Sequence, residues 1–105
     1  MAAVEVFKAL GDPTRIRIVE MLAENSEMCV CRIYERLGMS QPAVSHHLAA
    51  LKHADLVRAR RDGQWIHYSL NRETLSGVAL DSVQGLIEKL DSAPARMEEC
   101  PKSRP

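Results

Sequence analysis

The segment spanning residues 37–51, LGMSQPAVSHHLAAL, admits few structures. Gly38 offers a left-handed stop to a helix before it, and Ser40 offers an N-cap oxygen to a helix after it. Pro42 falls in the first turn of that second helix, where its missing amide donor costs nothing. Val44, Leu48 and Leu51 then recur at helical spacing and mark a buried seam. Upstream, VCRIYERL over residues 30–37 places Ile33 and Leu37 four apart, as a short helix with one inward side requires. A helix, a glycine-bearing turn and a capped second helix make a helix-turn-helix, whose second helix enters the major groove of DNA.

The flanking chain completes a small DNA-binding architecture. Residues 3–10 read as a helix with Val4 and Phe7, joined by Ala3 and Leu10, on one side. Gly11-Asp12-Pro13 breaks it. Asp12 caps the next helix and Pro13 takes its first position. That helix runs to about Ala23, with Ile16, Val19, Leu22 and Ala23 as its stripe. After Leu56 the period drops to two. Residues 57–61 and 64–70 read as strands joined by the Asp62-Gly63 turn, a two-stranded wing with Trp65 packed at its base. Asn71 is placed to cap a last helix over about 72–91, which carries Leu75, Val78, Ala79, Ser82, Val83, Leu86, Ile87 and Leu90. That stripe is long for the end of a small domain, so it is expected to pair with its copy in a second subunit; the alternative is that it folds back on its own core. The expected fold is therefore mainly α with a two-stranded β-hairpin wing, a winged helix-turn-helix dimerising through terminal helices. It occupies residues 1–92, and the proline-rich, charged residues 93–105 form a flexible tail.

At 105 residues the chain has room for one domain. No apolar run approaches a membrane span. The acid-bearing N-terminus lacks the layout of a signal peptide, which points to the cytosol. The formal charge of zero hides an uneven distribution. Residues 40–72 hold Lys52, Arg58, Arg60, Arg61 and Arg72 against Asp55 and Asp62, while both flanks are mildly acidic. A basic middle of this kind suits a phosphate-binding surface. On the second helix, Gln41 can pair with adenine, and Ser45 and His46 can reach bases or phosphates. Ala43 shares the outward side, and Ser40 is either a cap or a contact. His47, nearer the seam, is expected to be packed and hydrogen-bonded. Arg58, Arg60 and Arg61 would lie along a phosphate chain, and a symmetric dimer would require an operator that is an imperfect inverted repeat. Nothing pairs a nucleophile with a base and an orienting group, or forms a glycine-rich phosphate loop, which argues against an enzyme.

Three cysteines is an odd count, and a disulfide framework does not suit a reducing compartment. The thiols are then free, metal-binding or redox-active. Cys29 and Cys31 lie near a helix N-terminus, where a thiol pKa falls and the soft thiolate selects soft ions. If both were helical, residues two apart would face nearly opposite ways. Gripping one ion would then unwind or bend the first turn and re-aim the neighbouring reading helix. The alternative is two small packed cysteines.

The stretches FKALGDPTRIRIVEML and MCVCRIYERLGMSQPAVSHHLAALKHADLVRARRDGQWIHYSL resemble the ArsR/SmtB family of winged-helix repressors over about residues 4–92. The resemblance implies a dimer that holds operator DNA when free of inducer and leaves it on binding a metal, a metalloid or another thiol-reactive signal. Residues 27–31, EMCVC, resemble the metalloregulatory box of members that sense arsenic(III), antimony(III), cadmium or lead. This implies Cys29 and Cys31 as ligands. Some arsenic sensors carry a third cysteine three residues later, where this chain has Tyr34. Cys100, from the same or the partner subunit, is the other candidate third ligand, unless it is an unrelated thiol. Residues 71–105 contain no histidine, which argues against the family's zinc or nickel site on the last helix. The expectation is a repressor relieved by arsenite or antimonite. The alternatives are cadmium or lead, oxidants or persulfides acting on the same thiols, or a winged helix that binds proteins rather than DNA.

Overall fold

The structure, a computed structural model, describes residues 2–95. Cys100 and most of the expected tail lie outside the described residues. The chain opens with α1 (Ala2–Leu10) and α2 (Pro13–Glu24). Asp12 divides them as anticipated: its Oδ2 accepts the amides of Thr14 at 2.9 Å and Arg15 at 3.0 Å. Then come β1 (Met28–Cys29), α3 (Val30–Leu37) and α4 (Gln41–His53). Gly38 closes α3 at φ 62°, its amide donating to the Tyr34 carbonyl at 3.0 Å. A Cβ at Gly38 would meet nothing within 4 Å, so the glycine is needed for its backbone angle alone. Gly38→Ala is therefore expected to cost about 1 kcal/mol, read as a lower denaturant midpoint at unchanged slope.

Two turns then launch the wing. The α4 helix ends on left-handed Asp55, φ 61°, with Asp55 N–H donating to Lys52 and Leu56 N–H to Leu51, both at 2.9 Å. Strands β2 (Val57–Asp62) and β3 (Trp65–Leu70) pair antiparallel across a Gly63-Gln64 turn, one residue later than the expected Asp62-Gly63, with Gly63 at φ 63°. The sheet has three strands in the order β1-β3-β2, not the two expected. Met28 lies opposite Tyr68, and Cys29 opposite His67. Two residues are too few to show a period of their own, and only their partner makes them a strand.

The core gathers Val6, Ile18, Ile33, Val44, Leu48, Leu51, Leu56 and Val57, all essentially solvent-free. The seam expected on α4 is the one buried, and Ile33 and Leu37 of α3 pack beside it. The first two helices are turned from expectation. Val6 and Ala9, not Val4 and Phe7, are the buried residues of α1; Ile18, Met21 and Leu22 are those of α2, with Ile16 and Ala23 exposed. The α1 sequence is apolar nearly all round, so periodicity cannot choose its inner face. Trp65 stands exposed beside the turn, opposite Asp62, rather than at the wing's base.

Asn71 is also reassigned. It makes no side-chain cap. Instead it is buried, its Nδ2 donating to the Asp55 carbonyl at 3.0 Å and its Oδ1 accepting from Arg58 at 3.3 Å. It thus ties the end of α4 to the root of the wing. The last helix begins as α5 (Arg72–Thr74), widens into a π-helical stretch over Leu75–Leu80, and continues as α6 (Asp81–Ser92). The π stretch packs on α1. No residue of α6 is buried, and Leu80, Val83, Leu86, Ile87 and Leu90 lie exposed, as do Val4 and Phe7 on α1. Among the described residues, no helix is long and apolar enough to cross a membrane.

Candidate nucleic-acid interface and thiol site

The α4 helix presents its N-terminal end as a polar surface. Gln41, Ser45 and His46 are exposed, whereas Ala43 is half-buried. Ser40 works as a cap, its Oγ accepting the Ala43 amide at 3.3 Å. Ser45 Oγ lies 3.3 Å from Tyr34 Oη, so the residue standing where a third cysteine was sought links α3 to the reading helix. His47 is packed but not hydrogen-bonded: its buried Nδ1 sits 3.8 Å from Asp12 Oδ2 with no hydrogen-bond partner among the described residues.

The three wing arginines are in different situations. Arg58 Nη2 lies 3.4 Å from Glu73 and also reaches Asn71. Arg60 forks onto Glu27, Nη2 to Oε1 at 2.7 Å and Nε to Oε2 at 3.1 Å. That contact holds the Glu27 carboxyl below its ordinary pKa. Arg61 makes no ion pair or side-chain hydrogen bond among the described residues and is exposed.

The helix starts at Val30, as expected, so Cys29 lies just outside it: it is the N-cap of α3, with extended backbone at φ −65° and ψ 140°, and its sulfur accepts the Cys31 amide at 3.4 Å. Only Cys31 is in the helix. The bend between strand and helix brings the two sulfurs to 2.7 Å, with Cys31 Sγ donating to Cys29 Sγ. Both cysteines are free and half-buried, and the spacing exceeds the roughly 2.05 Å of a disulfide. No unwinding is needed to bring them together. The hydrogen bond from Cys31 lowers the Cys29 pKa, helped by the backbone amides of Cys31 and Arg32, and the same bond raises the Cys31 pKa. Of the two, Cys29 is therefore the first to lose its proton and Cys31 the later. Iodoacetamide should modify Cys29 with a pH midpoint below the ordinary thiol range, and Cys31→Ala should move that midpoint up, as followed by peptide mass mapping.

These donors suit a soft ion. Two sulfurs bonded to one such ion would stand farther apart than the 2.7 Å found here, so the pair would open on ligation. No cluster of three or more potential metal-ligating residues occurs among the described residues. Cys100 is outside them.

Residues 12–59 match the family described as bacterial regulatory protein, arsR family. An uncharacterized HTH-type transcriptional regulator of Methanocaldococcus jannaschii is 54% identical over 66 residues, covering 63% of this chain and 74% of the relative. The chain belongs to the ArsR family. The arsenical resistance operon repressor of Escherichia coli is 44% identical over 68 residues, 65% of this chain and 58% of that one. A cadmium resistance regulatory protein CadC homolog of Staphylococcus aureus is 38% identical over 89 residues, 85% of this chain and 67% of that one. Among solved structures, the homodimeric winged helix-turn-helix DNA-binding domain from Mycobacterium bovis superposes with a TM-score of 0.67 at 30% identity, over 92% of this chain and 88% of that one. This chain spans little more than half the length of the arsenical repressor it matches. As an ArsR-family member it is a transcriptional regulator, not an enzyme. Three features of its site were not foreseen: the β1 strand, the converging sulfurs and the Glu27–Arg60 pair. The last joins residues 33 apart, and no local pattern signals a contact at that distance.

Proposed function

We propose that this chain is a homodimeric repressor that leaves its operator when arsenite or antimonite binds Cys29 and Cys31. The observation that carries the reading is the convergence of those two sulfurs where β1, paired to the wing, meets α3, with the Cys29 pKa lowered. Gln41, Ser45 and His46 read base edges or adjoining phosphates from the exposed end of α4. Ser40 sets the start of that helix, and Ala43 borders the surface. Arg61 and Arg58 meet phosphates, and Arg60 stands among them while engaged with Glu27. The exposed apolar faces of α6 and α1 close against a second copy, so that two reading helices meet an imperfect inverted repeat.

Ligation in this reading needs no melting of α3. The sulfurs would part, each replacing a hydroxyl of arsenous acid that leaves as water once it has taken up a proton, the Cys31 proton among them, and the strand-to-helix bend between Cys29 and Val30 would be strained. Tyr34 and Ser45 connect α3 to the reading helix, and β1 connects the bend to the wing. Cys100 would add a third ligand if the tail reaches the pair.

Operator release titrated with arsenite, antimonite, cadmium, lead, peroxide and polysulfide tests the inducer. Arsenite and antimonite are expected to act at the lowest concentrations. The cadmium relative makes cadmium or lead the second reading, and release by those ions alone would replace the first. Operator binding that is weak and insensitive to salt would favour a protein-interaction module instead.

A further inference from the structure

We propose that Glu27 is a positioning residue that couples the thiol pair to the wing through its grip on Arg60. The signal from Cys29 then reaches DNA across the sheet as well as through α3. The proposal rests on Cys29 and Cys31 being the inducer site.

The register carries the argument. Cys29 of β1 lies opposite His67 of β3, and His67 lies opposite Arg60 of β2. Directly opposed residues share a face, so these three side chains form one row across the sheet. The next row, Met28, Tyr68 and Ala59, is on the other face, where Met28 is buried and Tyr68 packs on the core. Glu27 precedes the two-residue strand and reaches over β3 to Arg60, bonding it twice, at 2.7 and 3.1 Å. A strand this short has few ladder bonds to hold it. The planar guanidinium fork supplies a directional attachment that a lysine at this position would not.

Two consequences follow for the wing. Arg60 cannot give the same two N–H groups to Glu27 and to a phosphate, so in this arrangement it orients the wing while Arg61 is free to meet DNA. A shift of β1 as the sulfurs separate moves Glu27, two residues from Cys29, and hence the strand bearing Arg60 and Arg61. An isolated ion pair at this exposure, 56% for the Arg60 side chain and 35% for Glu27, adds little to global stability. Its effect is on which way the wing points.

Glu27→Gln keeps the shape and removes the charge. We expect inducer-free operator affinity within about threefold of wild type, and arsenite still protecting both thiols from alkylation. The ratio of operator Kd with and without arsenite should fall about tenfold or more, within the usual span of allosteric coupling. Arg60→Gln should lower the ratio similarly, and the double variant no further than either alone. In the inducer-free protein both variants should show faster amide exchange over Trp65–Leu70, a readout independent of the inducer. An unchanged Kd ratio together with unchanged exchange overturns the proposal. A tenfold rise in inducer-free affinity at an unchanged ratio also overturns it, because Glu27 would then merely compete with phosphate for Arg60. If arsenite fails to release wild type while both variants loosen the wing, the link stands and the inducer assignment falls.

Discussion

Cys29→Ser and Cys31→Ser should each bind the operator like wild type and lose arsenite-driven release. The serine oxygen is a hard donor and holds a soft ion poorly. With one sulfur gone, no pair remains to be parted, and the ratio of operator Kd with and without arsenite should collapse toward one, from a wild-type value on the order of 5- to 150-fold. Folding should be spared. Serine at position 29 can still cap α3, as the Cys29 sulfur does by accepting the Cys31 amide. Parallel titration of Cys100→Ser decides the tail's part: a normal response removes Cys100 from the essential sensor. A double variant lacking both Cys29 and Cys31 that still leaves DNA at the ordinary arsenite dose would falsify the assignment of the switch.

Leu86→Glu is expected to dissociate the dimer and weaken operator binding by about 10²–10⁴-fold, the loss that follows when two linked half-site contacts become independent. Leu86 is 66% exposed in the single chain, so a charge there leaves the core intact and the circular dichroism unchanged. In a dimer, the same carboxylate would be taken out of water opposite its symmetry mate, at a cost in assembly. Sedimentation should show the wild type as a dimer and the variant as a monomer. A wild type that remains monomeric at concentrations giving full operator occupancy would remove the terminal helices from the account.

What could be read without a structure depended on the range of the interactions involved. The Asp12 and Ser40 caps and the Gly38 stop act within a few residues, and each is found where the sequence placed it; the hairpin turn falls one residue later, on Gly63-Gln64. The α4 seam was equally plain because Val44, Leu48 and Leu51 stand among polar or small neighbours. Asn71 shows the limit. Its position before a helix suggested a cap, but the Asp55 carbonyl and Arg58, 16 and 13 residues away, hold the side chain. In α1 the apolar residues surround the helix, and the choice of Val6 over Phe7 as a core residue depends on what packs beside it.

The thiol site divides in the same way. Two cysteines one residue apart, close to a helix start, were visible in the chain itself, with the soft chemistry and lowered pKa that follow. Their geometry was not. Two helical cysteines would have faced opposite sides, whereas pairing of Met28 and Cys29 with Tyr68 and His67 holds Cys29 extended and turns its sulfur toward Cys31. Local chemistry along the chain thus determined the helices, the turns and the identity of the reactive groups. The closeness of the sulfurs, the inner faces of the first two helices and the Glu27–Arg60 link were decided by tertiary structure. These depend on partners tens of residues away, which only the folded backbone brings within bonding distance.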